Sequence, residues 1–289
     1  MKIVQISDVH FTRPNLNPFR LCPKRLIGTL NWLLFRKKES DHAPLAHLPA
    51  LFQSLGVDLI LVGGDLTSTS LPTEFATAKR FFDRIAQPKI FIPGNHDQYT
   101  SGAYREKRFY SFFKNLRPAV LHRAEFFTLK DHGVEAHNIA PGWWCVALDT
   151  APATKLTSSN GVFSETAEQY LEELLALLPE NDEILLLNHF PFFQNDRARH
   201  SLIGGERLRK LVESDSRIRL YLHGHTHRHT IADLRASGLP IVLDSGCPMQ
   251  KKQATWNLID LNDKKCTVQG YLWDGRSWNA FTEHSFEIG

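Results

Sequence analysis

Asp8 and His10 stand two residues apart just after the apolar run Ile3-Val4-Gln5-Ile6-Ser7, and four more apolar runs end in the same manner. Asp65 follows Leu59-Ile60-Leu61-Val62-Gly63-Gly64, and Asn95-His96-Asp97 follows Ile90-Phe91-Ile92-Pro93-Gly94. His189 follows Ile184-Leu185-Leu186-Leu187-Asn188, and His225-Thr226-His227 follows Leu220-Tyr221-Leu222-His223-Gly224. Imidazole, carboxylate and amide oxygen suit Mn, Fe, Zn and Co, and no thiolate stands among them. Ligands of open α/β sheets bind beyond the carboxyl ends of parallel strands. Five polar endings on five apolar runs therefore predict one shared, metallic site.

Each element has a bland reading when taken alone. An Asp-x-His pair can be surface polarity, Gly-Gly-Asp is a common turn, and a single histidine is more often a hydrogen-bonded structural residue. Asp8 and His10, two apart, can face one side where a strand frays. The two glycines before Asp65 allow a sharp turn. Gly94-Asn95-His96-Asp97 has little structural reason to exist, and Gly224-His225-Thr226-His227 is the sharpest element.

Taken in order, D-x-H, G-D, G-N-H-D, a lone histidine and G-H-x-H, the chain resembles the calcineurin-like metallophosphoesterases from Asp8 to His227. The resemblance implies a first metal ion held by Asp8, His10 and His227, a second by Asn95, His189 and His225, and Asp65 bridging both. It implies that His96 hydrogen-bonds the phosphate and assists the leaving group, and that Asp97 orients His96. Asn95, His96, Arg13 and His223 are then the candidate substrate contacts, His223 having the rim or a supporting position as its alternatives.

The charges agree with that reading. Two divalent ions against the two carboxylates of Asp8 and Asp65 leave a positive centre that attracts phosphate. A pair of ions activates water and stabilises the attacking and leaving oxygens of an in-line displacement. The donors favour manganese or iron, with zinc or cobalt as alternatives.

The elements that must position these residues read as a βαβ series. Helices are expected over 43–55, 73–85, 164–178 and 205–212, the third opened by Ser164 before Glu165 and ended by Pro179. Strands are expected over 143–148 and 241–243, with two more in 255–273 separated by Asn262-Asp263. With the resemblance, the expected fold is a four-layer αββα sandwich of class α/β, two mixed sheets packed face to face with flanking helices. It is read as a single domain over 1–289.

Residues 11–42 form a basic amphipathic insert in this reading. Between 11 and 38 the basic residues are Arg13, Arg20, Lys24, Arg25, Arg36, Lys37 and Lys38, with no acid. Leu26, Ile27, Leu30, Leu33 and Leu34 lie at helical spacing. The insert could be a lid over the pocket, a peripheral membrane contact through 24–38, or a cap packed on the domain.

A chain of 289 residues and 42% hydrophobic content can bury a large core. The apolar run 26–35 is about half the ~20 residues a bilayer span needs. No secretory signal is visible at the start, so a cytoplasmic location is expected, peripheral to the inner face of the membrane if the insert binds lipid. A net charge of +3 is too small by itself to argue for a nucleic-acid partner, and none is expected. Cys22, Cys145, Cys247 and Cys266 form no C-x-x-C pair and read as core residues or reduced thiols.

Residues 63–67 and 94–97 look like the bacterial class III cyclic-nucleotide phosphodiesterase branch, so a small phosphorylated substrate resembling a cyclic nucleotide is expected. The alternatives are hydrolysis of a lipid-linked pyrophosphate, as in UDP-diacylglucosamine hydrolases, and a non-catalytic binding module on the same scaffold. His229 is placed just beyond the site. His42, His47, His122, His132, His137, His200 and His284 lack ligand spacing and are read as surface or loop residues.

Overall fold

In the computed structural model, residues 1–13, 24–25, 40–115, 127–154, 158–194, 197–262 and 264–288 are described. The apolar stripe 26–35 and the basic cluster 36–38 lie outside them, as do Arg20, Cys22 and His122.

The chain-order strands are β1 (Lys2–Ile6), β2 (Leu59–Val62), β3 (Lys89–Phe91), β4 (Val134–Ala140), β5 (Trp143–Leu148), β6 (Gly161–Val162) and β7 (Glu183–Leu187). There follow β8 (Leu202–Ile203), β9 (Ile218–His223), β10 (His229–Asp233), β11 (Ile241–Ser245), β12 (Thr255–Asn262), β13 (Lys265–Trp273) and β14 (Trp278–Glu287). They build two six-stranded sheets, ordered β14-β13-β12-β1-β2-β3 and β10-β11-β9-β7-β5-β4, while β6 and β8 pair separately. In the first sheet β1-β2-β3 run parallel, with β3 at one edge and antiparallel strands on the other side; in the second, β5-β7-β9-β11 run parallel between antiparallel edge strands.

The apolar runs are continuous because both faces of the inner strands are buried. Ile3, Leu59, Leu61, Leu185, Leu187, Leu220, Leu222 and Leu243 pack together between the sheets. Their neighbours point outward: Val4, Ile6, Ile60 and Val62 meet Phe52, Phe75, Ala78 and Phe82. On the other sheet Val146, Ile184 and Leu186 meet Leu171, Leu174, Leu208 and Val212. The result is the expected four-layer αββα sandwich.

Three helices form close to the expected bounds, Pro72–Phe82, Glu165–Leu177 and Gly205–Ser214. Ser164 Oγ accepts the Ala167 N–H at 3.1 Å and so caps the second of these. The segment 43–55 divides into a 3₁₀ turn, Ala43–His47, and an α-helix, Leu48–Ser54. Pro49 stands in the first turn of that helix, where its missing N–H costs no intrahelical bond. Strand β11 runs two residues beyond the expected 241–243, through Asp244 and Ser245. Among the described residues, no helix is long and apolar enough to cross a membrane.

His137, expected on the surface or in a loop, is a correction: it is buried in β4, with Nε2 2.8 Å from Glu135 Oε1. Residues two apart on a strand share a face, so the carboxylate accompanies the imidazole inward. His42 is half-buried and stacks on Phe11 at 5.3 Å between ring centroids.

Candidate dinuclear metal centre

The five polar endings meet at one rim of the sandwich. Asp8 and His10 follow β1, Asp65 follows β2, and Asn95, His96 and Asp97 follow β3, three neighbouring parallel strands. His189 follows β7 and His225 and His227 follow β9, neighbours in the other sheet. The cluster therefore spans the seam between the sheets.

Past the strand ends, the first two loops continue to pair. Asp8 N donates to Gly64 O at 3.0 Å, His10 N to Asp65 O at 2.9 Å and Phe11 N to Leu66 O at 2.8 Å. This ladder holds Asp8, His10 and Asp65 at φ of 60°, 39° and 54°, and His225 and His227 sit at 68° and 55°. Left-handed backbone is costly for such residues and persists where the surroundings over-determine it. Close approach does the rest. A Cβ on Gly94 would strike Asp65, and one on Gly224 would strike Ser7 and Asp8.

The side chains converge in overlapping groups, Asp8 with His10 and His227, Asp8 and Asp65 with His189, and His10 and Asp65 with His96. His227 Nε2 lies 3.1 Å and His10 Nε2 3.6 Å from Asp8 Oδ1, and the two imidazole nitrogens are 3.0 Å apart. Asn95 Oδ1 lies 3.3 Å from His189 Nε2 and 3.1 Å from His225 Nδ1. Between the groups, Asp65 Oδ2 is 3.7 Å from His10 Nε2 and 3.5 Å from His189 Nε2. Asp8 Oδ1 is buried without a hydrogen bond of good geometry. A proton satisfies one pair of such converging atoms; a divalent cation satisfies a carboxylate and two imidazoles together. The donor set thus fits metal ions. Cys247 Sγ donates to the Asp8 carbonyl at 3.1 Å, so that sulfur points at main chain.

Electrostatics follow from burial and from these contacts. Burial pushes the Asp8 carboxyl up, but His227 and His10 more than reverse this and hold it well below the usual range. Asp65 is likewise depressed, burial being overcome by His189 and His96. Burial works against charge on His189, yet Asp65 and Asp8 raise it to about 9. His225, desolvated and beside His189, is pushed down to about 3. Protons and metal ions compete for imidazole nitrogens of this kind.

A further layer fixes the imidazoles. His189 Nδ1 donates to Gly63 O at 2.7 Å, turning Nε2 to the cluster, and His225 Nε2 donates to His200 O at 3.1 Å, turning Nδ1 to it. His200, read as an ordinary loop residue, thus enters through its carbonyl. Thr226 Oγ1 donates to Asp244 Oδ2 at 2.5 Å, and Asp244 Oδ1 accepts Gly246 N at 2.8 Å, so the end of β11 pins the residue between the two histidines. Asp244 was legible in principle, since it too ends an apolar run.

His96 N donates to Asp65 Oδ1 at 2.7 Å, and its Nδ1 donates to the Ser68 carbonyl at 2.7 Å. Its ring is edge-on to His10, with centroids 4.9 Å apart. Asp97 does not orient this ring, contrary to expectation. Its buried carboxylate accepts Gly94 N, Leu66 N, Thr67 N and Thr67 Oγ1 at 2.9–3.1 Å, tying the β2 loop to the β3 loop. Burial and the neighbouring Asp65 raise Asp97 to about 7.

Two expected substrate contacts lie elsewhere. Arg13 runs along the helix Pro72–Phe82, its N donating to Glu74 Oε1 at 3.2 Å and its Nε to Thr77 Oγ1 at 3.2 Å. His223 is 2% exposed, its Nδ1 between Gly224 O at 3.0 Å and Asp244 Oδ2 at 3.4 Å, and burial lowers it to about 4. So buried a ring supports the strand end from behind. His229 Nε2 lies 2.7 Å from Asn257 Oδ1, outside the ligand groups.

Residues 1–229 match the model of the calcineurin-like phosphoesterase family. Among curated proteins, the chain is 24% identical to the 3',5'-cyclic-nucleotide phosphodiesterase alr5338 of Nostoc sp., over 79% of its own length and 72% of the relative's. It is 24% identical to the 3',5'-cyclic adenosine monophosphate phosphodiesterase CpdA of Escherichia coli, over 81% and 72%. Among solved structures, a dimetal phosphatase from Danio rerio superposes with a TM-score of 0.70 at 13% identity, covering 100% of this chain and 99% of that one. That last likeness concerns the fold. The chain belongs to the calcineurin-like phosphoesterase family and is a metal-dependent phosphoester hydrolase.

Proposed function

We propose that this chain hydrolyses a phosphodiester or phosphomonoester, a cyclic nucleotide in preference, at a dinuclear centre. Asp8, His10 and His227 hold the first divalent ion, Asn95, His189 and His225 the second, and Asp65 belongs to both. The observation that carries the reading is the place of Asp65, whose Oδ2 stands 3.7 Å from a nitrogen of the first group and 3.5 Å from one of the second. Manganese or iron suits the donors best, with zinc or cobalt as alternatives. When bound, the ions supply Lewis acidity toward the phosphoryl oxygens and a lowered pKa for water.

The chain's own groups do the rest. Asn95 places an amide edge beside the phosphate. Ser68 O holds the proton on His96 Nδ1, so His96 exchanges protons with substrate through Nε2, donating to the leaving oxygen. Asp65 Oδ1 anchors the His96 main chain, tying the acid's position to the bridging carboxylate. One domain over 1–289 is supported by the pairing of β1 with β12, which joins the two ends of the chain in one sheet.

Cyclic nucleotides are favoured because relatives matched over most of the chain carry that activity in their names. Elemental analysis with turnover of bis(p-nitrophenyl) phosphate tests the chemistry, and a panel of cyclic nucleotides, glycerophosphodiesters, phosphomonoesters and UDP-linked lipids tests the substrate. Cyclic nucleotides should lead the panel by kcat/KM. A lead by any other class overturns the preference, and an inert, metal-free protein overturns the reading itself.

A further inference from the structure

His96 is one layer of a stack. The Tyr99 ring lies nearly parallel to it, at 12° with centroids 5.5 Å apart. Lys24 Nζ sits over the Tyr99 ring, 4.6 Å from its centroid. That ammonium is fixed in turn: it donates to Thr154 O at 2.7 Å and to Thr154 Oγ1 at 3.1 Å, while Tyr99 Oη donates to Lys24 O at 3.1 Å. Arg25 then binds the neighbouring loops, Nε to Thr69 O at 3.2 Å and Nη2 to Thr100 Oγ1 at 3.4 Å. Lys24 thus joins the Tyr99 ring to the Thr154 loop, and Arg25 clasps the loops that carry Thr69 and Thr100.

We propose that Tyr99, backed by Lys24, is a positioning residue that holds the His96 imidazole in the plane from which it reaches the leaving oxygen. The inference rests on the role given to His96 above. The Ser68 carbonyl at Nδ1 and the edge contact with His10 also touch this ring, and neither opposes tilting about the Nδ1 hydrogen bond. A ring stacked parallel to it does. The Lys24 ammonium over the Tyr99 ring holds that ring through its quadrupole, and the Tyr99 hydroxyl secures it at the edge. Neither Tyr99 nor Lys24 belongs to a ligand group, so their loss should leave the metal content intact. What should change is the delivery of the proton, and with it the dependence of rate on the leaving group.

The test uses the full metal-loaded chain with the variants Y99L, Y99F, K24M and H96A, assayed on bis(p-nitrophenyl) phosphate and on a diester with the poorer phenol leaving group. Metal content is measured for each. Tyr99→Leu should retain wild-type metal and KM while kcat falls about tenfold on the phenyl ester and less on the nitrophenyl ester, as expected for a misplaced general acid. Tyr99→Phe, which keeps the ring, should stay within about twofold of wild type, and Lys24→Met should fall between the two. Wild-type kcat in Tyr99→Leu, with His96→Ala impaired, overturns the proposal alone. So does a loss that tracks metal content or is equal in Tyr99→Leu and Tyr99→Phe. Wild-type kcat in Lys24→Met overturns the part given to the ammonium. Undiminished turnover in His96→Ala overturns the underlying role of His96.

Discussion

Asp8, His10 and His227 all sit on left-handed backbone, whereas among Asn95, His189 and His225 only His225 does. The second group relies on burial and carbonyl anchors: the His189 side chain is 0% exposed and its Nδ1 is held by Gly63 O, and His225 is held by His200 O. His227, in the first group, has a side chain 30% exposed. One half of the centre thus takes Asp8 and His10 from the loop ladder beyond β1 and β2 and a partly exposed His227 from beyond β9, whereas the other rests on the buried His189 and its carbonyl anchor. Strained and partly solvated ligands exchange more readily than buried ones. The first ion should therefore be the labile one and the second the retained one.

The largest effect should come from the residue common to both halves. Asp65→Ala should lose both ions by elemental analysis and on the order of a thousandfold or more in kcat. Retention of one ion would break the claim that both halves share this carboxylate. Next in size, His189→Ala should lose turnover irrecoverably, because it opens a buried gap and leaves the Gly63 carbonyl unpaired. His227→Ala should lose roughly a hundredfold at low metal and regain much of it as manganese is raised. Equal rescue of both variants would break the distinction.

A smaller effect is expected behind the ligands. Asp97→Ala leaves the N–H groups of Gly94, Leu66 and Thr67 without their acceptor and should cost about 3 kcal/mol in urea unfolding. If Asp97→Ala keeps wild-type stability yet alters the leaving-group dependence, the orienting role first expected for Asp97 returns. The smallest is the stepwise loss of metal to a dilute chelator. A plateau near one ion per chain should precede full depletion, and a single concerted loss would equate the halves.

The strand endings were legible because inner parallel strands are apolar on both faces, so a carboxylate or imidazole at their ends stands out. The longer helices were legible from their apolar residues at helical spacing on one face. Strand β14 was not, since most of its residues face solvent and its alternation is faint. The five-residue helices Ser101–Arg105 and Arg108–Phe112 are too short to show a period. Ser68 holds His96 through a main-chain carbonyl, and no residue type announces that. Asp97 was misread because adjacency to His96 in sequence suggested contact, whereas its carboxylate turns to the neighbouring loop. The left-handed backbone at five of the candidate ligand positions was hidden too, because none of them is a glycine.

The central claim, two ions around a shared Asp65, is tested most directly by titrating metal-free protein with manganese and counting bound ions calorimetrically, in the wild type and in Asp65→Asn. The account predicts two sites per chain of unequal affinity in the wild type, with both weakened together in Asp65→Asn. A single site, or two sites of which only one responds to Asp65→Asn, would contradict it.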